Sequence, residues 1–237
     1  MAEIEVPAIA GTWTVPEELT EQTEIVLLGG RVEPASMLQG YAGGLFPMEV
    51  PVAGDGDRPA GTVLAWLAPD PRGVLAAPGL VPSRSLRRSM SRFDFSVDEA
   101  FAEVVAGCAD PRRPGGWINE DYRVAYLALH EAGYAHSVEV WLAGELVGGL
   151  LGVELGGLFC ADSKFRRVTD ASKAAVAHLS RLIFGAPDGD QRLVDVQWLT
   201  DHLASLGCHE VAGSDYAGRL PGLLRLPPAL GGPSLTR

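Results

Sequence analysis

Between Gly156 and Gly207 the chain reads strand, helix, strand, helix, and it places polar groups among apolar neighbours where strands end. The run RLVDVQWL carries the residues best suited to chemistry. Side chains alternate along a strand, so Leu193, Asp195 and Gln197 are expected on one face and Val194, Val196 and Trp198 on the other. A carboxylate and an amide then point into one space, equipment for handling a proton and hydrogen-bonding a polar reactant. Burying an Asp costs several kcal/mol unless it is hydrogen-bonded or used. Catalysis is one explanation; an Asp capping nearby backbone is the other.

The elements that position this strand follow from periodicity and punctuation. PASMLQGYAGGLFPM predicts a short helix over 35–41, stopped by Gly43 and Gly44, and VAGDGDRPAG a solvated loop. TVLAWLAPDPRGVL reads as a strand interrupted by Pro69 and Pro71. SRSLRRSMSRF predicts a helix capped by Ser83, with Arg84, Arg87 and Arg88 on one face. A second helix carries the stripe Phe101, Val104, Val105 and Cys108, and a third is capped by Asn119 and stopped at Gly133. HSVEVWL and ELVGGLLGVEL are strands joined at Ala143-Gly144, with LFCA a third strand of the meander. Asp170 and Thr200 cap the last two helices, and the first twenty residues and the tail after Pro221 are expected to be irregular. Helices, then a meander, then helix, strand and helix describe an α+β fold with a mixed sheet. The boundary is placed at 79/80, with residues 1–79 a small N-terminal domain and 80–237 the catalytic one.

At 237 residues the chain can bury a core without disulfides or metals. No apolar run reaches the roughly 18 residues of a membrane span, and MAEIEVPAIA has no basic segment ahead of an apolar one. A cytoplasmic protein is expected. Cys108, Cys160 and Cys208 are odd in number and far apart, which predicts reduced, buried thiols and neither a disulfide frame nor a metal site. The net charge of −11 speaks against nucleic acid as a partner, but its distribution is uneven. Residues 1–57 hold ten acids and one base, whereas 72–92 hold five arginines and no acid. An acidic protein with one basic stripe can meet a polyanion locally. There is no GxxxxGK[ST] phosphate loop, no GxSxG elbow and no HExxH motif. The order of elements resembles acetyltransferases, yet the nearest match to their pyrophosphate loop, 113–118, fails at its last position, so acetyl-coenzyme A is not expected.

HEAGYAHSVEVW, ELVGGLLGV, GGLFC, DASKAA, LVDVQW and DHLASLG, with GLFPM and APDPR upstream, resemble the leucyl/phenylalanyl-tRNA–protein transferases of bacteria from about Leu28 to Tyr216. The resemblance implies a small N-terminal domain packed on an acetyltransferase-like, mixed-sheet domain. It implies transfer of Leu, Phe or, less well, Met from aminoacyl-tRNA to an N-terminal Arg or Lys, which marks the acceptor protein for degradation, with no cofactor. An ammonium cannot attack an ester, and an α-amine has a pKa of about 8, so the enzyme must hold the amine and remove its proton. By resemblance Asp195 orients the amine and is a candidate to deprotonate it, while Gln197 bonds the reacting carbonyl or relays a proton; a shuttle through the tRNA ribose hydroxyl is the alternative. Asp162 stands where the family's Glu holds the cationic acceptor, Trp117 where its Trp stacks on the terminal adenosine, and Arg84, Arg87 and Arg88 where its basic helix meets the acceptor stem. Leu150, Leu151, Val153, Leu158, Phe159, Leu179 and Val194 are candidates for an apolar pocket around the aminoacyl side chain.

The departures bear on specificity. Met48 replaces a usual Trp, the run Ala65-Trp66-Leu67-Ala68 replaces Trp-Trp-Ser, Leu151 replaces a Tyr, and Asp162 is one methylene shorter than Glu. Lys164 and Arg166 add positive charge beside the site, which repels an N-terminal Arg and attracts tRNA or an anionic acceptor. Two alternatives therefore stay open: the same transfer to a different, small-molecule amine, and a relic that binds tRNA or a protein terminus without catalysis.

Overall fold

The computed structural model describes residues 24–52, 61–113 and 116–233. The irregular arm expected over the first twenty residues and most of the VAGDGDRPAG loop lie outside them. Two sheets organise the chain. Strands β1 (Ile25–Leu28), β2 (Phe46–Val52) and β3 (Gly61–Leu67) form a small antiparallel sheet in the order β1-β3-β2. The larger sheet has seven strands in the order β10-β4-β9-β8-β7-β6-β5. These are β4 (Arg72–Ala76), β5 (Asp94–Val97), β6 (Ala135–Leu142), β7 (Glu145–Leu155), β8 (Leu158–Arg166), β9 (Leu193–Gln197) and β10 (His209–Val211). The β8–β9 pairing is parallel and the other pairings are antiparallel, so the fold is α+β with a mixed sheet.

Helices cover both faces of the large sheet. On one face α1 (Pro34–Ala42), α3 (Phe101–Cys108), α4 (Glu120–Glu131) and α7 (Gly213–Leu223) share a core with the small sheet through Tyr41, Val104, Tyr126 and Leu220. On the other, α2 (Arg84–Met90), α5 (Ala171–Gly185) and α6 (Asp201–Ala204) pack through Leu86, Ala174, Leu179 and Leu203. Gly148 of β7 lets α5 approach closely: a Cβ there would stand 2.7 Å from that of Ala171.

Ser83, Asn119 and Thr200 cap their helices, accepting from the backbone N–H of Leu86, Tyr122 and Leu203. Asp170 precedes α5 but does not cap it. Its φ of +68° turns the carboxylate away, and it accepts instead from Ser89 Oγ of α2 at 2.8 Å.

Three further expectations change. The stretch TVLAWLAPDPRGVL is two strands in different sheets, because Pro69 and Pro71 end one before the next begins. β4 therefore lies inside the large sheet, and the chain crosses between sheets at 68–71, ahead of the expected boundary at 79/80. The chain after Pro221 is tied down: Pro221 lies within α7, the Ala229 and Leu230 N–H groups donate to Glu154 at 2.6 and 3.0 Å, and Arg192 Nη2 donates to Pro227 O at 2.8 Å.

Glu154 is buried, and losing it strands both N–H groups. Glu154→Ala is expected to cost on the order of 1–3 kcal/mol, or roughly 2–12 °C of Tm in a chain of this size. Calorimetry checks the loss, and hydrogen exchange should accelerate first at residues 229 and 230.

Candidate active site

A pocket of about 250 Å³ opens where β8 and β9 part. The two strands pair from Leu158↔Leu193 only as far as Cys160↔Asp195; beyond that point Ala161–Lys164 and Val196–Gln197 face each other across the gap. Each strand carries a bulge there. Opposite β7, Leu151 pairs with Ser163 and Gly152 with Ala161, which leaves Asp162 as the extra residue. Opposite β4, Gly73 pairs with Gln197 and Val74 with Asp195, which leaves Val196 extra. A bulge bends the strand and re-aims side chains, and here two of them shape one cavity. Gly73 is required beneath it, since a Cβ there would come within 2.8 Å of the Leu199 backbone nitrogen.

The expected sharing of a face by Asp195 and Gln197 does not hold. Alternation persists through Val194, Asp195 and Val196, but Gln197 has a φ of +62°, a left-handed conformation that turns it to the pocket side. Asp195 stays on the opposite side, fully buried. Its Oδ1 accepts from Arg72 Nε and from the Gln197 backbone N–H, both at 2.9 Å; its Oδ2 accepts from Arg72 Nη2 at 2.6 Å and Tyr216 OH at 2.8 Å. Arg72 Nη1 donates to Gly44 O at 2.9 Å, and the guanidinium lies over the Tyr216 ring at 4.6 Å. Burial pulls the Arg72 pKa down, but the Asp195 carboxylate more than offsets this and the guanidinium stays charged. Arg72 is therefore no part of an exposed basic stripe. It forms a buried ion pair that ties β4, β9, α7 and the turn after α1 together and holds Gln197 in its strained backbone. With its amide turned to satisfy its neighbours, Gln197 donates to Ala161 O at 3.3 Å and Val196 O at 3.1 Å, spanning the split.

Asp162 is the carboxylate that faces the pocket. Its Oδ2 accepts from Tyr41 OH at 2.8 Å and Tyr126 OH at 2.9 Å, while its Oδ1 has no protein partner among the described residues. Burial raises its pKa to about 7, with Asp195 adding to the rise and the two tyrosine hydrogen bonds and Arg72 opposing it. Both phenols are pushed well above 10 by burial and Asp162, so they remain donors.

The walls come from both sheets. Phe46, Pro47 and Met48 of β2 line one side, with Trp117, which stacks edge-on against Tyr122 at 4.9 Å. Trp198 lines the pocket against Phe46 at 4.9 Å. Leu150, Leu179, Val194 and Leu203 form the apolar interior, and Lys164 and Cys208 also line it. Of the expected lining, Leu151, Val153 and Leu158 lie instead in the core shared with α3 and α4, because odd and even positions of β7 and β8 take opposite faces. Phe159 is on the pocket's side of the sheet but fully buried beneath it, against Gly152. Tyr41, Tyr126, Tyr216 and Arg72 were not among the residues expected here. Arg72 carried a signal, a charge inside the apolar run RGVL; the tyrosines, on three separate helices, carried none.

Arg84, Arg87 and Arg88 are exposed on α2, and the three cysteines are buried and unpaired. Among the described residues no cluster of His, Cys, Asp or Glu could hold a metal ion, and no helix is long and apolar enough to cross a membrane.

A profile described as leucyl/phenylalanyl-tRNA protein transferase matches residues 74–221. A leucyl/phenylalanyl-tRNA–protein transferase of Azoarcus sp. (strain BH72) is 44% identical over 210 residues, spanning 87% of this chain and 84% of its own. One from Shigella dysenteriae serotype 1 is 40% identical over 225 residues, spanning 91% of each. Among solved structures, a GCN5-related N-acetyltransferase from Kribbella flavida superposes with a TM-score of 0.39 at 14% identity, over 61% of this chain and 55% of its own, too slight a likeness to carry weight.

Proposed function

Because the chain belongs to the leucyl/phenylalanyl-tRNA–protein transferase family, we propose that it transfers Leu or Phe from aminoacyl-tRNA to the amino terminus of an acceptor protein, at the split between β8 and β9. The observation that carries this reading is a single pocket-facing carboxylate, Asp162, with a pKa of about 7, beside an apolar cavity of about 250 Å³. That pKa is close to that of an α-amine, which favours proton transfer at neutral pH.

The steps balance simply. The aminoacyl side chain enters among Leu150, Leu179 and Val194, with the terminal adenosine on Trp117, next to the turn that carries Arg113. Ionised Asp162 holds the acceptor's terminal ammonium on its free Oδ1 and takes a proton. The amine nitrogen then attacks the ester carbonyl carbon, the C–N bond forms and the bond to the ribose oxygen breaks; the proton held by Asp162 passes to that oxygen, and the nitrogen's second proton goes to the freed carboxylate, which releases it to solvent. Gln197 exchanges one of its two N–H bonds across the split for the ester carbonyl oxygen and holds it in place. Asp195, whose oxygens are already engaged by Arg72, Tyr216 and Gln197 and which does not line the pocket, is a positioning residue in this scheme and not the base.

The charges around the opening fit an N-terminal Arg or Lys. Glu24 accepts from Trp198 Nε1 at 2.8 Å and Glu49 from Asn119 Nδ2 at 2.7 Å, placing two carboxylates beside the walls built from the small sheet. Lys164 lies on the other side, on β8. A cationic acceptor therefore approaches from the small sheet. The exposed face of Arg84, Arg87 and Arg88 supplies phosphate contacts without base readout, as an enzyme that accepts a tRNA by its end requires. Incubation with Leu-tRNA and peptides beginning with Arg or with Glu tests the reading. Leucine should appear on the Arg peptide; leucine on neither peptide contradicts the reading.

A further inference from the structure

β8 does not end at the pocket. Lys164 lines the pocket wall, and the next residues, Phe165, Arg166 and Arg167, line a second groove of about 500 Å³ whose far wall is the end of α3 and the turn after it. Arg112, Arg113 and Arg123 face into the same groove. Against these five arginines stand two acids that are already paired, Asp110 with Arg112 at 2.8 Å and Glu120 with Arg123. Lys164, Arg113, Arg166 and Arg167 have no carboxylate within ion-pair distance among the described residues. Arg113 binds the pocket wall to the groove, donating to the backbone oxygens of Cys108 and Lys164. Arg167 donates to Leu146 O at 2.8 Å and lies over the Phe165 ring, which leaves Arg166 to project into solvent. Burial together with the charges of Lys164, Lys173 and Arg166 holds His202 below its ordinary pKa. In a chain of net charge −11, cations thus follow one another at the end of β8, from Lys164 at the pocket to Arg166 and Arg167 in the groove.

We propose that this groove is the track of the phosphodiester backbone of the tRNA's single-stranded 3′ end, with Lys164 and Arg166 meeting the first phosphates outside the pocket and Arg113 and Arg167 the next. It rests on the reading that an aminoacyl ester occupies the pocket. The nucleotides joined to that ester must leave past a wall, and the β8 wall is the one whose charge suits them, whereas Glu24 and Glu49 oppose them on the other side. The groove is separate from the arginine face of α2, which lies beyond the 167–170 loop where Ser89 holds Asp170.

The double variant Arg166→Ala, Arg167→Ala changes two exposed side chains. Three substrates separate the possibilities: Leu-tRNA, the leucyl ester of adenosine, which has no phosphodiester, and a labelled single-stranded RNA ending in CCA whose binding to the full chain is followed by anisotropy. Losing two phosphate contacts should raise the KM for Leu-tRNA roughly tenfold and make the dependence of log Kd on log salt for the RNA shallower by about 1.4. The KM for leucyl-adenosine should move less than twofold. Equal effects on both esters, an unchanged salt slope, or an effect seen only with acidic acceptor peptides would each overturn the proposal. If the native chain binds the RNA with the expected slope but transfers no leucine, the track stands and the catalytic reading fails. If it transfers leucine while the variant behaves as wild type, the reverse holds.

Discussion

Asp195→Ala is expected to abolish measurable transfer and to lower Tm by roughly 6–20 °C. The estimate follows from the Arg72–Asp195 pair, in which neither side chain is more than 1% exposed. Removing one partner of a buried pair leaves the other charge unpaired at a cost of about 3–5 kcal/mol, and each kcal/mol is worth about 2–4 °C in a protein of this size. Activity falls for a linked reason. Asp195 accepts the Gln197 N–H that steadies a left-handed glutamine, and it anchors Tyr216 of α7. Arg72→Met should therefore act like Asp195→Asn, and the double variant should lose little more kcat/KM than either single one, because both act through one network. A base role for Asp195 predicts otherwise: Arg72→Met would keep most of the rate at high pH, and Asp195→Asn would not. Steady-state kinetics on the four proteins of the cycle, with far-ultraviolet spectra to show that each is folded, decide between the two.

Asp162→Asn should reduce the single-turnover rate by about 10²–10⁴-fold while leaving the fold intact, since an amide oxygen can still accept from Tyr41 and Tyr126. With the carboxyl pKa at about 7, the wild-type rate should rise with pH and level off above it, and the variant should lose that limb. Stability should run the opposite way. An unfolded Asp releases its proton near its ordinary value of about 3.9, whereas the folded one keeps it up to about 7. Between those values the native state binds more protons than the unfolded state, so wild-type stability declines as pH rises through that window. Denaturant melts across it should show the decline flattened in Asp162→Asn. The site then works in the ionisation state that the fold favours less, a cost consistent with carboxylates tuned for catalysis.

The parts of this arrangement that could be read from sequence are those written in local pattern. Ser83, Asn119 and Thr200 announced their helices because a short polar side chain ahead of an apolar stripe has one good use there, and the β6–β7–β8 meander was legible from alternation and from Ala143-Gly144. Bulges and positive φ values leave no such trace. Alternation alone put Asp195 and Gln197 on one face, and a single left-handed residue at 197 separated them into a supporting carboxylate and a pocket-lining amide. In the same way the extra residue in β8 gave Asp162 its position, and the divergence of two parallel strands made the cavity. The tail after Pro221 looked loose because its anchors are distant: Glu154 and Arg192 hold it through backbone groups, which any sequence supplies. Tyr41, Tyr126 and Tyr216 were invisible for the complementary reason, since each is a well-buried aromatic on a helix whose hydroxyl happens to meet a carboxylate far away in the chain.

The most direct measurement is intact-mass spectrometry of a peptide beginning with Arg after incubation with Leu-tRNA and either the native chain or Asp162→Asn, in single turnover at pH 8. The account predicts one leucyl residue added at the peptide's amino terminus by the native chain, and at least a hundredfold less product from the variant over the same interval. No leucyl addition by the native chain, or addition at the same rate by Asp162→Asn, would contradict it.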